Sequence, residues 1–78
     1  MPRHGPASRN AIAHAVLAYL DRCPAAADDA TGVTAFWLPA MGVEAAREDV
    51  AAVLAELATQ GRIEARPSWT GNTVYSRA

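Results

Sequence analysis

The sequence predicts an α+β fold: three helices followed by a C-terminal two-stranded β-hairpin. The first observation is a stretch between residues 50 and 57 whose apolar side chains recur at helical spacing. The second is Gly61, a residue that readily adopts the left-handed backbone angles found just beyond a helix C-terminus. The third is a segment beyond Gly61 in which polar and apolar side chains alternate with a period of two.

The first helix is predicted over about residues 9–23. Its apolar stripe consists of Ile12, Val16, Tyr19, Leu20 and Cys23. Ser8 or Asn10 can cap it by accepting from the N–H groups of the first turn. Pro24 ends it, because the residue before a proline is disfavoured in the helical region. The single cysteine, Cys23, is expected to be reduced and half-buried, as free cysteines usually behave as small apolar residues.

The second helix is harder to place. Residues 25–32 show no periodicity and are expected to form a solvent loop, with Asp28 and Asp29 solvated rather than binding a cation. In one interpretation a short helix begins at Thr34 and is kinked or cut by Pro39. In the other, residues 33–37 are extended and a brief helix starts with Pro39 in its first turn. The first is preferred, and Gly42 marks the turn that follows.

The third helix is predicted to begin between Glu44 and Ala46 and to end at Gln60 and Gly61. Its buried face consists of Val50, Val53, Leu54 and Leu57. Residues 62–66 are then predicted as one strand, residues 67–72 as a turn, and residues 73–75 as the returning strand.

Most of the large apolar side chains are expected in the core, because a chain of 78 residues has few of them. They are Ile12, Val16, Leu17, Tyr19, Leu20, Phe36, Trp37, Leu38, Val50, Val53, Leu54, Leu57, Ile63, Trp69, Val74 and Tyr75. Trp69, in the turn of the hairpin, has two interpretations. It stacks on or wedges into a nucleic acid beside Arg66, or it folds back over the core; the need for core volume favours the second.

Composition narrows the possible functions. The net charge is −1, so no global electrostatic attraction to a polyanion is expected. One cysteine excludes an intrachain disulfide, and no apolar run approaches the ~18 residues of a membrane span. Residues 1–7 lack the apolar stretch of a signal peptide and are expected to form a flexible N-terminal arm to one domain, residues 8–78. The expectation is a soluble cytoplasmic protein with no metal, no cofactor and no enzymatic activity, since no catalytic motif is present.

From residue 9 to 77 the order of elements resembles the winged helix-turn-helix superfamily. The strongest motif is the apolar pattern from Val50 to Leu57, followed by Gly61 and Ile63; it is similar to the family's passage from the recognition helix into the wing. Val33, Thr34, Ala35 and Leu38 likewise resemble the family's entry into its second helix. The resemblance implies a three-helix domain whose third helix enters the DNA major groove and whose hairpin, the wing, contacts the backbone or minor groove.

Double-stranded DNA is therefore the expected partner, in a bacterial or phage transcriptional regulator. The residues that the resemblance places at the DNA are Arg47, Arg62, Arg66, Trp69, Thr70, Asn72 and Arg77. The positions that would face the groove on the third helix are Ala46, Arg47, Glu48, Asp49, Ala51, Ala52 and Ala55. They offer one arginine, two acids and alanines, whereas residues 61–78 hold three arginines against one carboxylate. The prediction is docking largely through the wing.

An alternative function follows from the same third helix. Its acidic, alanine-lined face suits a helical or basic partner better than phosphate. A winged-helix protein-interaction module, either a homodimer or a partner-binding domain, is thus the second hypothesis. A tight homodimer that covers Ala51 and Ala55 would favour it.

Overall fold

The computed structural model describes residues 7–78; the predicted N-terminal arm, apart from Ala7, lies outside the described residues. The described chain has an α+β fold with three helical segments and a three-stranded antiparallel sheet. In chain order the elements are α1 (Arg9–Arg22), β1 (Ala27–Asp28), α2 (30–40), α3 (Arg47–Thr59), β2 (Ile63–Pro67) and β3 (Thr73–Arg77).

Helix α1 lies where the sequence predicts it. Ser8 is its cap, since the Ser8 hydroxyl accepts from the Ala11 N–H at 3.2 Å. Cys23 ends the helix, with its N–H donating to the Tyr19 carbonyl at 2.8 Å. The prediction of a half-buried Cys23 is wrong: Cys23 is exposed, and it is the residue at which the chain leaves the helix.

Helix α2 begins four residues before the predicted start. Asp29 is its cap, and one carboxylate oxygen of Asp29 accepts from the Gly32 N–H at 2.9 Å. Thr34, where the helix was predicted to begin, lies inside the helix and donates its hydroxyl to the Ala30 carbonyl at 2.7 Å. The predicted solvent loop over residues 25–32 is therefore wrong. It contains strand β1 and the first turn of α2.

A π-helical turn carries α2 past Pro39. Val33–Trp37 form this turn between two α-helical turns, and the Leu38 N–H donates to the Val33 carbonyl five residues earlier. In a regular helix a proline has no N–H for the carbonyl four residues before it, and its ring collides with that carbonyl. The wider turn ahead of Pro39 breaks the regular bonding pattern at this point, and the helix continues to Ala40. The interpretation in which residues 33–37 are extended is wrong.

Both α2 and α3 end in the same glycine motif. Gly42 has a φ of 74° and Gly61 a φ of 75°, values that favour glycine. Beyond α2, the Val43 N–H donates to the Leu38 carbonyl at 2.8 Å; beyond α3, the Arg62 N–H donates to the Leu57 carbonyl at 2.9 Å. Both glycine stops are confirmed, although α3 begins at Arg47, slightly later than predicted.

The sheet contains one strand more than predicted. The predicted hairpin is present: β2 and β3 pair antiparallel, with Ile63 opposite Arg77 and Pro67 opposite Thr73. Strand β1 pairs with the other side of β3, with Asp28 opposite Tyr75, so the strand order is β1-β3-β2. Because opposed residues share a face, one face carries Ile63 and Tyr75 toward the helices, and the outer face carries Glu64, Arg66, Val74 and Ser76.

One core joins all three helices to the inner face of the sheet. It contains Ile12, Ala15, Val16, Leu20, Val33, Trp37, Leu38, Val50, Val53, Leu54, Leu57, Ile63 and Tyr75. Leu17 and Tyr19 pack against it while half-buried, and Val74 is also half-buried. The Tyr19 ring stacks on Trp37, with ring centres 4.9 Å apart.

Two expectations for the core are wrong. Phe36 is 69% exposed. A π-helical turn holds more residues than an α-helical one, so Phe36 is rotated away from the inward side that Val33, Trp37 and Leu38 occupy. Trp69 does not fold back over the core; it is 96% exposed, because it lies in the turn that extends beyond the paired strands.

Candidate functional site

The turn of the hairpin presents Trp69 to solvent on a fixed backbone. The Ser68 N–H donates to the Asn72 carbonyl at 2.8 Å, and the Gly71 N–H donates to the Ser68 carbonyl at 3.0 Å. The hydroxyl groups of Ser68 and Thr70 are 2.6 Å apart, within hydrogen-bond distance. These bonds hold the turn closed, so Trp69 stands out from a structured loop.

Arg66 lies on the outer face of β2 near this turn. Its guanidinium donates to a Glu64 carboxylate oxygen at 3.0 Å, and both side chains are largely exposed. Residues two apart on a strand point to the same face, which is why the pair can form. Glu64 therefore neutralises much of the charge that Arg66 offers to a partner, a contact that the sequence analysis did not weigh.

Arg47 and Asn72 are brought together on the other side of the hairpin turn. They line a pocket of about 160 Å³ with Asp29, Thr31 and Thr73. The Asn72 amide donates to an Asp29 carboxylate oxygen at 3.2 Å, while the other oxygen of that carboxylate caps α2. Asp29 thus ties the start of β3 to the start of α2. The signal for it in sequence was an Asp three residues before a glycine, which is also common in loops.

Arg62 and Arg77 lie at the opposite end of the hairpin. Ile63 pairs with Arg77, and Arg62 is the residue directly before Ile63. The two arginines face α1 across a groove of about 430 Å³. Five strand residues separate this end from the turn, a distance of about 16 Å at the usual rise. The seven predicted residues therefore do not form one cluster: five lie toward the turn and two at the base.

The two acidic residues at the start of α3 have a structural explanation. Glu48 and Asp49 lie in the first turn, and Ala46, at the cap position, makes no side-chain hydrogen bond to the helix. Carboxylates near a helix N-terminus interact favourably with its macrodipole and with the free N–H groups. Of the positions expected to face a DNA groove, Ala46, Arg47, Glu48 and Ala55 are exposed, and Asp49, Ala51 and Ala52 are half-buried.

Phe36 is a surface feature that the sequence analysis missed. It lies on α2 between exposed Ala35 and buried Trp37, and with Trp69 it forms the pair of large apolar side chains exposed in the described part of the chain. No sequence signal separates it from Trp37. Trp37, the inward neighbour of Phe36, stacks on Tyr19 of α1, and burial and the nearby Cys23 thiol raise the pKa of the Tyr19 hydroxyl.

The described residues give no indication of a metal site, since no three acidic, histidine or cysteine side chains cluster within 7–78. Among the helices of that region, none is long and apolar enough to cross a membrane. Comparisons of the chain with protein-family models, with curated proteins and with solved structures found no match.

Proposed function

We propose that this chain is a small winged-helix DNA-binding protein of the transcriptional-regulator type that docks largely through its hairpin. The arrangement of three helical segments followed by an antiparallel hairpin supports the winged-helix assignment. The acids of α3 support docking through the hairpin, because two carboxylates at the start of that helix would face phosphates if it entered a groove.

The exposed Trp69 carries this proposal. A tryptophan can bury roughly 250 Å² of surface, and a small domain gains much from covering it. Trp69 is instead 96% exposed on a turn fixed by its own hydrogen bonds. It lies between Arg66 and Thr70, side chains that contact phosphates in protein–DNA complexes. An aromatic side chain held out in this way suits stacking on a base or wedging between base pairs.

The other residues toward the turn have separate roles in this mode of docking. Arg66 exchanges its contact with Glu64 for a phosphate, a change that costs little because exposed ion pairs are worth only ~0–1 kcal/mol. Arg47 and Asn72 contact the adjacent backbone from their shared pocket. Arg62 and Arg77, at the base, reach DNA only if the duplex runs along the whole hairpin.

A salt titration of duplex binding tests the proposal and counts these contacts. Each neutralised phosphate contributes about −0.9 to the slope of log affinity against log salt. Contacts from Arg47 and Arg66 alone give a slope near −2, whereas all four arginines give a slope near −4. No measurable binding to duplex DNA at ~50 mM salt would refute DNA binding.

Matched variants test the role of Trp69. Trp69→Ala should weaken binding by about 5- to 100-fold, the effect of losing one base–aromatic contact. Phe36→Ala removes the other exposed aromatic side chain and serves as the control, with unchanged affinity expected. Equal losses in both variants would indicate non-specific adhesion of aromatic surface and would contradict docking through the turn.

Phe36 favours a second candidate function, a winged-helix module that binds protein. The π-helical turn holds this side chain out of the core, and such turns occur often at functional sites. Exposed Ala35 and Ala40 on the same helix would let a partner approach closely. The test is the solution mass of the parent, Phe36→Ser and Trp69→Ser proteins. A dimer lost only in Phe36→Ser, together with absent DNA binding, would favour this function over the first.

A further inference from the structure

Strand β2 has one edge free for pairing, here called the β2 edge. In the strand order β1-β3-β2, β2 bonds to β3 on one side, and within residues 7–78 no strand pairs with its other side. Glu64, Ala65, Arg66 and Pro67 are all exposed, so the described helices do not cover this edge. An uncovered strand edge presents backbone N–H and C=O groups in the pattern that another strand needs.

The register of the hairpin determines which groups the β2 edge presents. The Ser68 N–H donates to the Asn72 carbonyl at 2.8 Å, immediately beyond the two strands. Hydrogen-bonded pairs alternate along an antiparallel ladder, so every second residue back from Ser68 bonds to β3. The residues between them, Ile63, Ala65 and Pro67, direct their backbone groups to the free side. Pro67, which has no N–H, therefore lies at a position where β3 requires none.

The side chains beside Ala65 are complementary to a second copy of the same edge. Glu64 and Arg66 flank Ala65 on the outer face of the sheet and are 3.0 Å apart within one chain. In an antiparallel pair of β2 edges with a two-fold axis at Ala65, Glu64 of each copy lies opposite Arg66 of the other. The two Ala65 residues then exchange both backbone hydrogen bonds, and the Ile63 N–H of each copy donates to the Pro67 carbonyl of the other.

The same charges disfavour the neighbouring registers. A two-fold axis at Glu64 would place the two Glu64 carboxylates opposite each other. An axis at Arg66 would place the two guanidinium groups opposite each other. Like charges directly opposite on one face of a sheet are destabilising. The charge pattern therefore favours the register centred on Ala65 and, as the partner, a second copy of this chain.

We propose that the β2 edge binds the β2 edge of a second copy, antiparallel and centred on Ala65, and joins the two three-stranded sheets into one. One pair of five-residue strands buries less area than the ~1,200 Å² of stable complexes. The dimer is therefore weak, with a dissociation constant of about 0.1–1 mM. This interface is separate from Phe36 on α2 and does not rest on DNA binding.

Sedimentation equilibrium of the full chain without DNA, from about 20 μM to about 2 mM, tests for the dimer. A mixture of isotope-labelled and unlabelled protein then tests the register. The α-protons of Glu64 and Arg66 from different copies should show a nuclear Overhauser effect, because a non-hydrogen-bonded pair brings the two strands closest. A monomer throughout this range, or a dimer without this contact, would overturn the proposal.

Charge reversals test the pairing of Glu64 with Arg66. Glu64→Arg and Arg66→Glu should each weaken self-association by at least about fivefold, because like charges then face each other. An equal mixture of these two variants should form a heterodimer that is tighter than either homodimer, since every facing pair is then opposite in charge. Glu56→Arg makes the same change in net charge at an exposed position of α3 and should leave self-association unchanged.

Ala65→Pro tests the backbone bonds. Residue 65 directs its N–H to the free side, so a proline there leaves the ladder between β2 and β3 intact. It removes both central hydrogen bonds between the copies and should weaken self-association by about tenfold or more. Parent-like self-association of Ala65→Pro or of either charge reversal, or a mixture no tighter than its components, would overturn the proposal. Because these measurements contain no DNA and retain Trp69, they succeed or fail independently of DNA binding.

Discussion

The same substitution should destabilise the protein to very different extents at its two tryptophans. Trp37 is 3% exposed, stacks on Tyr19 and lies among the side chains of the core, whereas Trp69 is 96% exposed. Replacing each by alanine removes the same atoms from the same chain. Any difference in stability between the two variants therefore measures their surroundings.

The expected magnitudes differ by about a factor of ten. Trp69 covers on the order of 10 Å² of its surface, which at 25 cal/mol per Å² is about 0.3 kcal/mol. Replacing a buried tryptophan by alanine costs about 3–5 kcal/mol, and the lost stacking on Tyr19 falls on the same scale. A domain of 78 residues has a free energy of unfolding of about 4–12 kcal/mol, so Trp37→Ala removes much of it.

Urea unfolding followed by circular dichroism measures both changes. With a slope of about 1–1.5 kcal/mol per M, Trp69→Ala should shift the midpoint by less than about 0.3 M, and Trp37→Ala by about 2 M or more. Trp37→Phe keeps an aromatic ring and should fall between them, which gives a measurable transition if Trp37→Ala is unfolded. A Trp69→Ala midpoint lowered by more than about 1 M, or a Trp37→Ala midpoint within about 0.5 M of the parent, would refute this account of the core.

Three further predictions follow from particular contacts. A Cβ on Gly32 would overlap the Asp28 carboxyl group. Gly32→Ala should therefore destabilise the parent protein, but stabilise the Asp28→Ala protein by up to ~1 kcal/mol. If Gly32→Ala changes the free energy of unfolding equally in both proteins, measured by a urea double-mutant cycle, this contact is contradicted. Gly61→Ala should lower the free energy of unfolding by about 1–2 kcal/mol because residue 61 has a φ of 75°, and an unchanged thermal midpoint would disagree with that backbone angle. Glu64→Gln should change the free energy of unfolding by less than about 0.5 kcal/mol. Because it frees Arg66, it should also strengthen duplex DNA binding severalfold at low salt. Weaker binding in a fluorescence-anisotropy titration would contradict the role of Arg66 as a phosphate contact.

Much of the fold could be predicted because its signals are local. Helix α1 has an apolar stripe and an N-cap residue, and α3 has an apolar stripe that ends at Gly61. Each of these patterns lies within a single segment of the sequence. Strand β1 was missed because a strand of two residues has no periodicity, and its pairing with β3 depends on residues far along the chain. The start of α2 was missed because Asp29, its cap, also reads as a solvated loop residue.

The candidate site was less predictable for a geometric reason. The residue types were available from the sequence, but their grouping depends on strand register and on where the hairpin meets α1. Register places Arg77 beside Ile63 and so at the base with Arg62, away from Trp69. Phe36 is exposed because it lies in the π-helical turn that precedes Pro39. The helix preferences of the individual residues do not predict such a turn.

The position of β3 in the middle of the sheet has a consequence for synthesis on the ribosome. β3 is the last of the described strands along the chain, yet it contacts both β1 and β2, and Tyr75 completes the inner face. Until residues 73–77 leave the exit tunnel, β1 has no strand to pair with and Ile63 lacks its neighbour across the hairpin. The helices can associate during translation. The sheet, in contrast, can form only after residue 77 has left the exit tunnel. Its formation is therefore a late step, and it includes the pairing of β1 with β3, which are far apart in sequence.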